Sequence, residues 1–350
     1  MLSASPSPSL STLSRYGWDD AWEQLALAQD QAGSLPGRVA RVDRGRVDVL
    51  TDRGALRARC PVPPAVGDWV LVDPGDLPRV VAVLPRCTAL TRATVSGRSE
   101  GQVLAANVDT VLVTVALESA GRAGRVERLL ALAWESGATP VVVLTKVDRV
   151  DDVGPAVAAM TAAAPGVEIL AVSAVTGDGV DEVAAAARGT TVLVGPSGAG
   201  KSTLANALLG GDVLAVGEVR ASDGKGRHTT VHRELLPLPG GGVLVDTPGL
   251  RAVGVRDAAG GIDRAFADVV ELADECRFTD CAHETEPGCA VRAAVEGGAL
   301  PARRREAYRK LLREDEWATA RTDARLAAER RGRWKQITKA QRAAYRERGR

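Results

Sequence analysis

The sequence predicts an α/β protein in which a helix-covered parallel sheet lies between a small β-barrel and a helical C-terminal region. Strand-like and helix-like segments alternate between residues 107 and 246, and short β-type runs spaced by about ten residues occupy residues 37–84. The length of 350 residues allows two or three domains. With 45% apolar and 25% charged residues, the composition is that of a globular protein that needs no disulfides to build its core.

Residues 1–35 begin with the Ser/Pro-rich stretch MLSASPSPSLSTLSR, and we expect them to form a flexible N-terminal segment. Residues 36–98 are the predicted barrel, of the oligonucleotide-binding (OB) type, because the runs RVARV, RVDVL, ALRARC, DWVLV and RVVAVL are separated by turn sequences. This block is rich in arginine, so a contact with RNA is expected mainly through phosphate. Trp69 is either a core residue or a platform for base stacking.

Residues 99–260 are the predicted sheet domain. The apolar strands VDTVLVTVAL, TPVVVLTKVD, VEILAVSA and TTVLVG alternate with helical segments at 125–136, 153–164, 180–187 and 202–209. Strands of a parallel sheet that is covered on both faces are nearly continuous apolar runs, as these are. Beyond this domain the sequence predicts helices only.

A glycine-rich loop follows the strand TTVLVG. Residues 195–203 read GPSGAGKST and fit the pattern G-x-x-x-x-G-K-[ST], in which backbone N–H groups and a helix N-terminus surround phosphates. Lys201 is expected to reach the β- and γ-phosphates of a nucleotide, and the Ser202 hydroxyl to bind Mg²⁺. The predicted phosphate-binding residues are Gly195, Pro196, Ser197, Gly198, Ala199, Gly200, Lys201, Ser202 and Thr203.

The sequence TKVD, at the end of a predicted strand, resembles the guanine-specificity motif N/T-K-x-D of the P-loop GTPases. Its residues are Thr145, Lys146, Val147 and Asp148. The resemblance implies that Asp148 accepts hydrogen bonds from guanine and that the Lys146 stem packs on the base. It also implies that Ser173 and Ala174 contact the base through their backbone. Thr145 stands where many GTPases have Asn, which weakens its side-chain contact to the base N7.

Residues 246–249 read DTPG after the strand VLV and resemble the GTPase switch motif D-x-x-G. The resemblance implies that Asp246 holds Mg²⁺ through water and that the Gly249 N–H senses the γ-phosphate. Thr229 or Thr230, in the polar stretch before this motif, is the predicted second protein ligand of Mg²⁺. The order TKVD, SA, phosphate loop, HTT, DTPG is complete but rotated relative to ordinary GTPases. It predicts a circularly permuted GTPase domain.

Many GTPases place a Gln directly after D-x-x-G to orient the attacking water, but this sequence has Leu250 there. His228, in the stretch GRHTT, is the candidate catalytic residue that orients water when the loop closes. The alternative is an exposed loop histidine without a role. We therefore expect slow intrinsic hydrolysis that a bound partner stimulates strongly.

Residues 261–350 are the predicted zinc-binding helical domain with a basic tail. The pattern C-x4-C-x-H-x5-C supplies three thiolates and one imidazole, which suit a closed, structural Zn²⁺ site; buried thiols without metal are the alternative. The predicted ligands are Cys276, Cys281, His283 and Cys289. Residues 301–350 contain 17 Lys and Arg but 7 Asp and Glu, which suggests a polyanionic partner. Arg303, Arg304, Arg305 and the basic stretch 330–339 are candidate phosphate contacts, unless they form a solvated face.

The rotated motif order, the N-terminal barrel and the C-x4-C-x-H-x5-C segment together resemble the RsgA (YjeQ/EngC) family of circularly permuted GTPases. The segments LPRCTALTR, QVLAANVDT, GRHTT, DTPGL and DCAHETEPGCAV match that family as well. The resemblance implies a GTP hydrolase that requires Mg²⁺ and one structural Zn²⁺. It also implies that the protein binds the rRNA of the nearly finished small ribosomal subunit, is stimulated by it, and helps other assembly factors leave.

No apolar run is long enough to span a bilayer, so we expect no membrane contact. The clustered cysteines favour a reducing compartment, and we also expect a cytoplasmic monomer. Two alternatives come from other functional classes. One is a GTP-gated RNA-binding switch whose hydrolysis is incidental, and the other is a translation factor that acts on mature ribosomes. An ATPase conflicts with Asp148.

Overall fold

The computed structural model describes residues 12–29, 33–62, 64–92, 102–119, 123–214, 233–246 and 258–320. Along the chain it has a five-stranded barrel, a helix-covered sheet and a group of helices, which confirms the predicted fold class. Among the described helices, none combines the length and the apolar character that a bilayer crossing requires.

Five strands form the closed barrel near the N-terminus. They are β1 (Leu35–Asp43), β2 (Arg46–Thr51), β3 (Gly54–Arg59), β4 (Trp69–Asp73) and β5 (Arg79–Val83). The strands pair in the cycle β1, β2, β3, β5, β4 and back to β1, and the pair β3 and β5 is parallel whereas the others are antiparallel. Alternate residues face inward, so Val39, Val49, Val70 and Val80 meet in an apolar centre.

The segment before β1 covers one side of the barrel. Thr12–Tyr16 form a 3-10 helix and Asp20–Leu27 form α1. Leu13 and Trp22 pack with Trp69, which is 1% exposed and is therefore a core residue. These residues are folded against the barrel, in contrast to the flexible segment that we expected. The aromatic contacts supply buried apolar area that the Ser/Pro-rich start of the chain does not reveal.

A hairpin links the barrel to the sheet domain. Its strands β6 (Ala89–Arg92) and β7 (Gln102–Ala106) pair antiparallel as a separate two-stranded sheet. The predicted boundary between residues 98 and 99 falls between these strands, in a stretch outside the described residues, and it stays a prediction.

The sheet domain alternates strands and helices as its sequence predicts. Its strands are β8 (Thr110–Ala116), β9 (Thr139–Thr145), β10 (Glu168–Val172), β11 (Thr190–Val194), β12 (Glu234–Pro237) and β13 (Val243–Asp246). Its helices are α2 (Ala123–Glu135), α3 (Gly154–Ala163), α4 (Val180–Ala186) and α5 (Lys201–Leu209). The order across the sheet is β10-β9-β8-β11-β13-β12, and every neighbouring pair is parallel except β13 with β12. All residues of β8 and β11 are buried because helices cover both faces.

The barrel and the sheet domain are joined by hydrogen bonds. β1 pairs with β12 through Arg41 and Glu234, which makes one continuous 11-stranded sheet. Nearby, the Arg38 side chain is 2% exposed and donates to the Gly67 carbonyl (3.2 Å) and to Thr190 Oγ1 (2.6 Å). Burial lowers the pKa of Arg38 to about 10, so the guanidinium stays charged at neutral pH. This buried cation ties the barrel to the first residue of β11.

The C-terminal helices share their core with the sheet domain. They are α6 (Ala259–Ala265), α7 (Ala267–Ala273), α8 (Ala290–Glu296) and α9 (Ala302–Ala320). Ile262 and Phe266 belong to the same apolar cluster as Leu130 of α2. Helix α6 approaches α2 so closely that a Cβ at Gly261 would lie 2.1 Å from the Ala131 carbonyl oxygen. The predicted boundary between residues 260 and 261 falls inside α6 and stays a prediction.

A buried ion network holds α9 against α2. Arg304 is 0% exposed and donates to Glu127 Oε1 of α2 (3.0 Å) and to Asp268 Oδ2 of α7 (3.0 Å). Arg303 also donates to Glu127, at 3.1 Å. The expectation that Arg304 contacts phosphate is therefore wrong. Successive residues of a helix point in different directions, and in this arginine run the middle one faces the core.

Candidate nucleotide site and metal centre

The predicted nucleotide motifs meet at one edge of the sheet. β9 and β10 end side by side, with Thr145 next to Val172, and β11 ends nearby at Val194. Since these strands are parallel, the loops that carry TKVD, SA and the glycine-rich sequence leave from the same carboxyl edge. Ligands of open α/β sheets bind at that edge.

The glycine-rich loop has the backbone that its sequence predicts. Gly195, Gly198 and Gly200 have φ values of 151°, 79° and 79°, which residues other than glycine rarely adopt. A Cβ at Gly195 would also lie 2.4 Å from the Thr114 carbonyl oxygen. The Lys201 ammonium, at the start of α5, donates to the carbonyls of Gly195 (2.9 Å) and of the next residue. The loop is therefore a preformed backbone cradle with one cation inside it.

Asp148 and Ser173 lie together although 25 residues separate them. The Ser173 hydroxyl donates to Asp148 Oδ1 at 2.7 Å, and Ser173 is completely buried. One carboxylate oxygen is thus oriented by the protein, while Asp148 itself is exposed. Sequence reasoning gave Ser173 a backbone contact with the base and missed this side-chain role. Lys146, directly after β9, has a left-handed backbone with φ of 64°.

Thr145 connects the base-specificity loop to the phosphate loop. Its hydroxyl donates to the Ala199 carbonyl at 2.8 Å and lies 3.4 Å from the Val115 carbonyl, and the residue is 4% exposed. This geometry turns the hydroxyl toward the phosphate loop. Val147 and Ala174, in the same two loops as Asp148 and Ser173, are half-buried. The nucleotide-binding roles of these residues stay predictions.

Thr114, in the middle of β8, is a further residue that sequence reasoning missed. Its side chain is completely buried, and its hydroxyl donates to the Val194 carbonyl at 2.8 Å, directly before the phosphate loop. The signal in the sequence is a threonine within the apolar run VLVTVA. A buried hydroxyl needs a partner, and here the partner is the strand that carries the loop.

Asp246 ends β13 and lies near the phosphate loop. Burial raises the pKa of Asp246, the positive charge of Lys201 opposes this shift, and the negative charge of Glu234 adds to it. Lys201 and Asp246 are thus close enough to interact, as the two sides of a Mg²⁺–phosphate site must be. The remaining predicted switch residues lie outside the described residues: His228, Thr229, Thr230 and Gly249.

The four predicted zinc ligands form one compact cluster between α7 and α8. Their ligand atoms all lie within 4.8 Å of one another. The Cys276 and Cys289 sulfurs are 3.9 Å apart, and His283 Nδ1 lies 3.6 Å and 3.5 Å from them. Tetrahedral Zn²⁺ with Zn–S of about 2.3 Å and Zn–N of about 2.0 Å places sulfurs about 3.8 Å apart and sulfur about 3.5 Å from nitrogen. The donor set fits this ion.

Two local features favour metal binding by the cluster. Burial lowers the pKa of His283, so its imidazole is neutral at pH 7, as a metal ligand must be. The Cys289 sulfur also accepts a hydrogen bond from the Arg292 backbone N–H at 3.4 Å, as the N-cap of α8. These features are consistent with a structural metal centre without an open ligand position.

This chain is similar to known proteins over nearly all of its length. The family model described as RsgA GTPase matches residues 83–256. The Small ribosomal subunit biogenesis GTPase RsgA of Streptomyces coelicolor is 56% identical over 348 residues, which cover 96% of this chain and 95% of that protein. The chain belongs to the RsgA GTPase family. The relative of the same name from Opitutus terrae is 42% identical over 366 residues, 97% of this chain and 99% of that protein.

Solved structures support the fold of this RsgA family member. YjeQ from Thermotoga maritima covers 80% of this chain and 98% of its own, with 27% identity and a TM-score of 0.61. YloQ, described as a circularly permuted GTPase, covers 81% and 96% with 22% identity and a TM-score of 0.57, which bears on fold alone. The predicted family and the permuted GTPase fold are thereby confirmed.

Proposed function

We propose that this chain is a GTP hydrolase that binds the small ribosomal subunit during its late maturation, hydrolyses GTP there and helps other assembly factors leave. The observation that carries this proposal is the 2.8 Å hydrogen bond from Thr145 to Ala199, which joins a guanine-type loop to a phosphate loop. Two relatives that this chain matches over 95% and 99% of their length carry the name small ribosomal subunit biogenesis GTPase.

In this proposal each group acts on one part of the nucleotide. Asp148, oriented by Ser173, accepts hydrogen bonds from the guanine N–H groups. The N–H groups of residues 195–203 and the Lys201 ammonium hold the β- and γ-phosphates. Ser202 and Asp246, with Thr229 or Thr230, hold Mg²⁺, which when bound neutralises charge on the phosphate oxygens.

Hydrolysis needs a group that orients water, and Leu250 cannot supply one. His228 is the remaining candidate on the switch stretch, and we infer that the bound subunit brings it into position. The Zn²⁺ site has a separate, structural role, since its four ligands hold residues 276–289 beside α8. The protein would act in the cytoplasm as a monomer.

The test is GTP turnover by the full chain with and without purified small ribosomal subunits. A large stimulation supports the maturation GTPase, and none supports a GTP-gated RNA-binding switch. Stimulation by mature 70S ribosomes that equals or exceeds that by immature small subunits would favour a translation factor instead.

His228→Ala tests the catalytic assignment within the same assay. We expect the variant to lose the stimulation while keeping wild-type affinity for GTP and for the subunit. His232→Ala, four residues along the same stretch, is the matched control and should retain stimulation. Full stimulated turnover in His228→Ala would remove this residue from the mechanism.

A further inference from the structure

Hydroxyl groups from two neighbouring strands hold the two ends of the phosphate loop. Near its end, Thr145 of β9 donates to the Ala199 carbonyl at 2.8 Å. At its start, Thr114 of β8 donates to the Val194 carbonyl, also at 2.8 Å. Both threonines are buried, and β8 and β9 are parallel neighbours that each have a further strand on their other side. The interior of the sheet therefore supports the loop at two points.

Thr114 also contacts the loop through its main chain. Gly195 passes so close that a Cβ there would lie 2.4 Å from the Thr114 carbonyl oxygen and 3.2 Å from its Oγ1. The Val194 carbonyl and the Gly195 N–H belong to one planar peptide, so the direction of one fixes the direction of the other. The Thr114 hydroxyl, by holding that carbonyl, thus sets the orientation of the first peptide of the loop.

The position of the loop cation depends on the same peptide. The Lys201 ammonium donates to the Gly195 carbonyl at 2.9 Å and to the Pro196 carbonyl at 2.8 Å. A change in the path of the chain at Gly195 would therefore move the acceptors of Lys201 as well. One series of contacts links the buried Thr114 hydroxyl to the cation of the phosphate loop.

Packing alone does not require a hydroxyl at position 114. Leu112 lies two residues earlier on the same face of β8, and it shares an apolar cluster with Leu204 of α5. Valine has the shape of threonine and is equally suited to a strand, so it would meet the packing requirement. A buried hydroxyl costs free energy unless it is hydrogen-bonded, and at this position its bond goes to the start of the loop.

We propose that Thr114 is a positioning residue for nucleotide phosphates, which orients the start of the phosphate loop before the nucleotide binds. Donors that are already oriented need no ordering on binding, and affinity rises accordingly. Thr114 acts through the loop and does not itself touch the nucleotide. The inference rests on the proposed function, because it takes the ligand of the loop to be the phosphates of GDP and GTP.

The experiment measures dissociation constants of the full chain for GDP, GMP, ATP and a non-hydrolysable GTP analogue by displacement of a fluorescent GDP. The test variant is Thr114→Val, and Thr110→Val is the matched control. Thr110 lies on the same strand, is 6% exposed and donates to the Arg188 carbonyl at 3.2 Å. It begins β8 about 13 Å from Thr114, since a strand rises about 3.3 Å per residue.

We expect Thr114→Val to bind GDP and the GTP analogue about fivefold more weakly, the effect of one hydrogen bond. Affinity for GMP, which lacks a β-phosphate, and the preference for GTP over ATP should not change, because Asp148 is the proposed base contact. Thr114→Ser should restore the affinity. Thr110→Val should keep every affinity, although it loses a similar hydrogen bond and is expected to lower the free energy of unfolding to a similar extent.

Two results would overturn the proposal. One is wild-type affinity for GDP in the folded Thr114→Val variant, and the other is an equal loss of affinity for GMP and GDP, which would indicate a general loosening of the domain. If Thr114→Val does not fold, Thr114→Ala repeats the test without a methyl group against the Val194 carbonyl.

The inference and the proposed function can fail separately. If small subunits do not stimulate GTP turnover but Thr114→Val selectively weakens GDP binding, the proposed function fails and the positioning role stands. If small subunits stimulate turnover and Thr114→Val binds GDP as the wild type does, the positioning role fails and the proposed function stands. A wild type that binds neither GDP nor GTP would overturn both.

Discussion

Glu127→Ala is expected to destabilise the whole chain, because Glu127 is the buried counter-charge of Arg304. Both side chains are 0% exposed, and their closest atoms are 3.0 Å apart. Removal of one partner from such a pair costs about 3–5 kcal/mol. Asp268 still faces the guanidinium at 29% exposure, so we expect the lower end of that range, about 3 kcal/mol.

Urea denaturation followed by tryptophan fluorescence measures this loss as a change in the free energy of unfolding. Arg128→Ala is the matched control on the same helix, because Arg128 pairs with Glu314 at 2.6 Å with side chains 32% and 36% exposed. Such a partly exposed pair contributes only about 0–1 kcal/mol. If Glu127→Ala costs no more than this control, the buried network does not hold α9 in place and the reasoning is refuted.

Three further predictions concern the nucleotide and metal sites. Asp148→Ala is expected to abolish the preference for GTP over ATP in competition binding, and a retained preference would exclude Asp148 from base recognition. Thr145→Val, which keeps the shape but removes the donor to Ala199, should weaken GDP and GTP binding about fivefold, the roughly 1 kcal/mol of one hydrogen bond. Thr145→Ser should restore affinity, and a changed base preference in Thr145→Val would instead indicate a base contact. Cys281→Ser is expected to lower the zinc content below one ion per chain by native mass spectrometry, whereas Cys87→Ser, outside the cluster, should leave it unchanged.

The carboxyl-edge motifs could be predicted from the sequence because their chemistry is local. A glycine-rich loop after an apolar strand fixes both its own backbone and its place in a parallel sheet. Asp148 can be placed at the same edge because it closely follows β9, another parallel strand of the sheet. The four zinc ligands were found because they lie within a short stretch of chain and are rare residue types here. In each case a short sequence window contains the whole signal.

The contacts between distant segments could not be predicted. Arg304 stands in a run of three arginines, and nothing in that run shows which one faces Glu127 on another helix. Arg38 and Arg59 both stand in the arginine-rich barrel sequence, yet Arg38 is buried between the barrel and the sheet domain and Arg59 is exposed to solvent. The packing of Trp22 on Trp69 likewise depends on tertiary structure. Sequence composition indicates charge, while the fold decides whether that charge is buried.

The hydrogen bond from Arg38 to Thr190 helps to fix the position of the barrel relative to the phosphate loop. Thr190 begins the strand that ends at Val194, directly before the phosphate loop, and Arg38 lies on the first barrel strand. The barrel is therefore joined directly to the strand that carries the phosphate loop. Any contact that fixes the orientation of the barrel would therefore also fix the orientation of the phosphate loop.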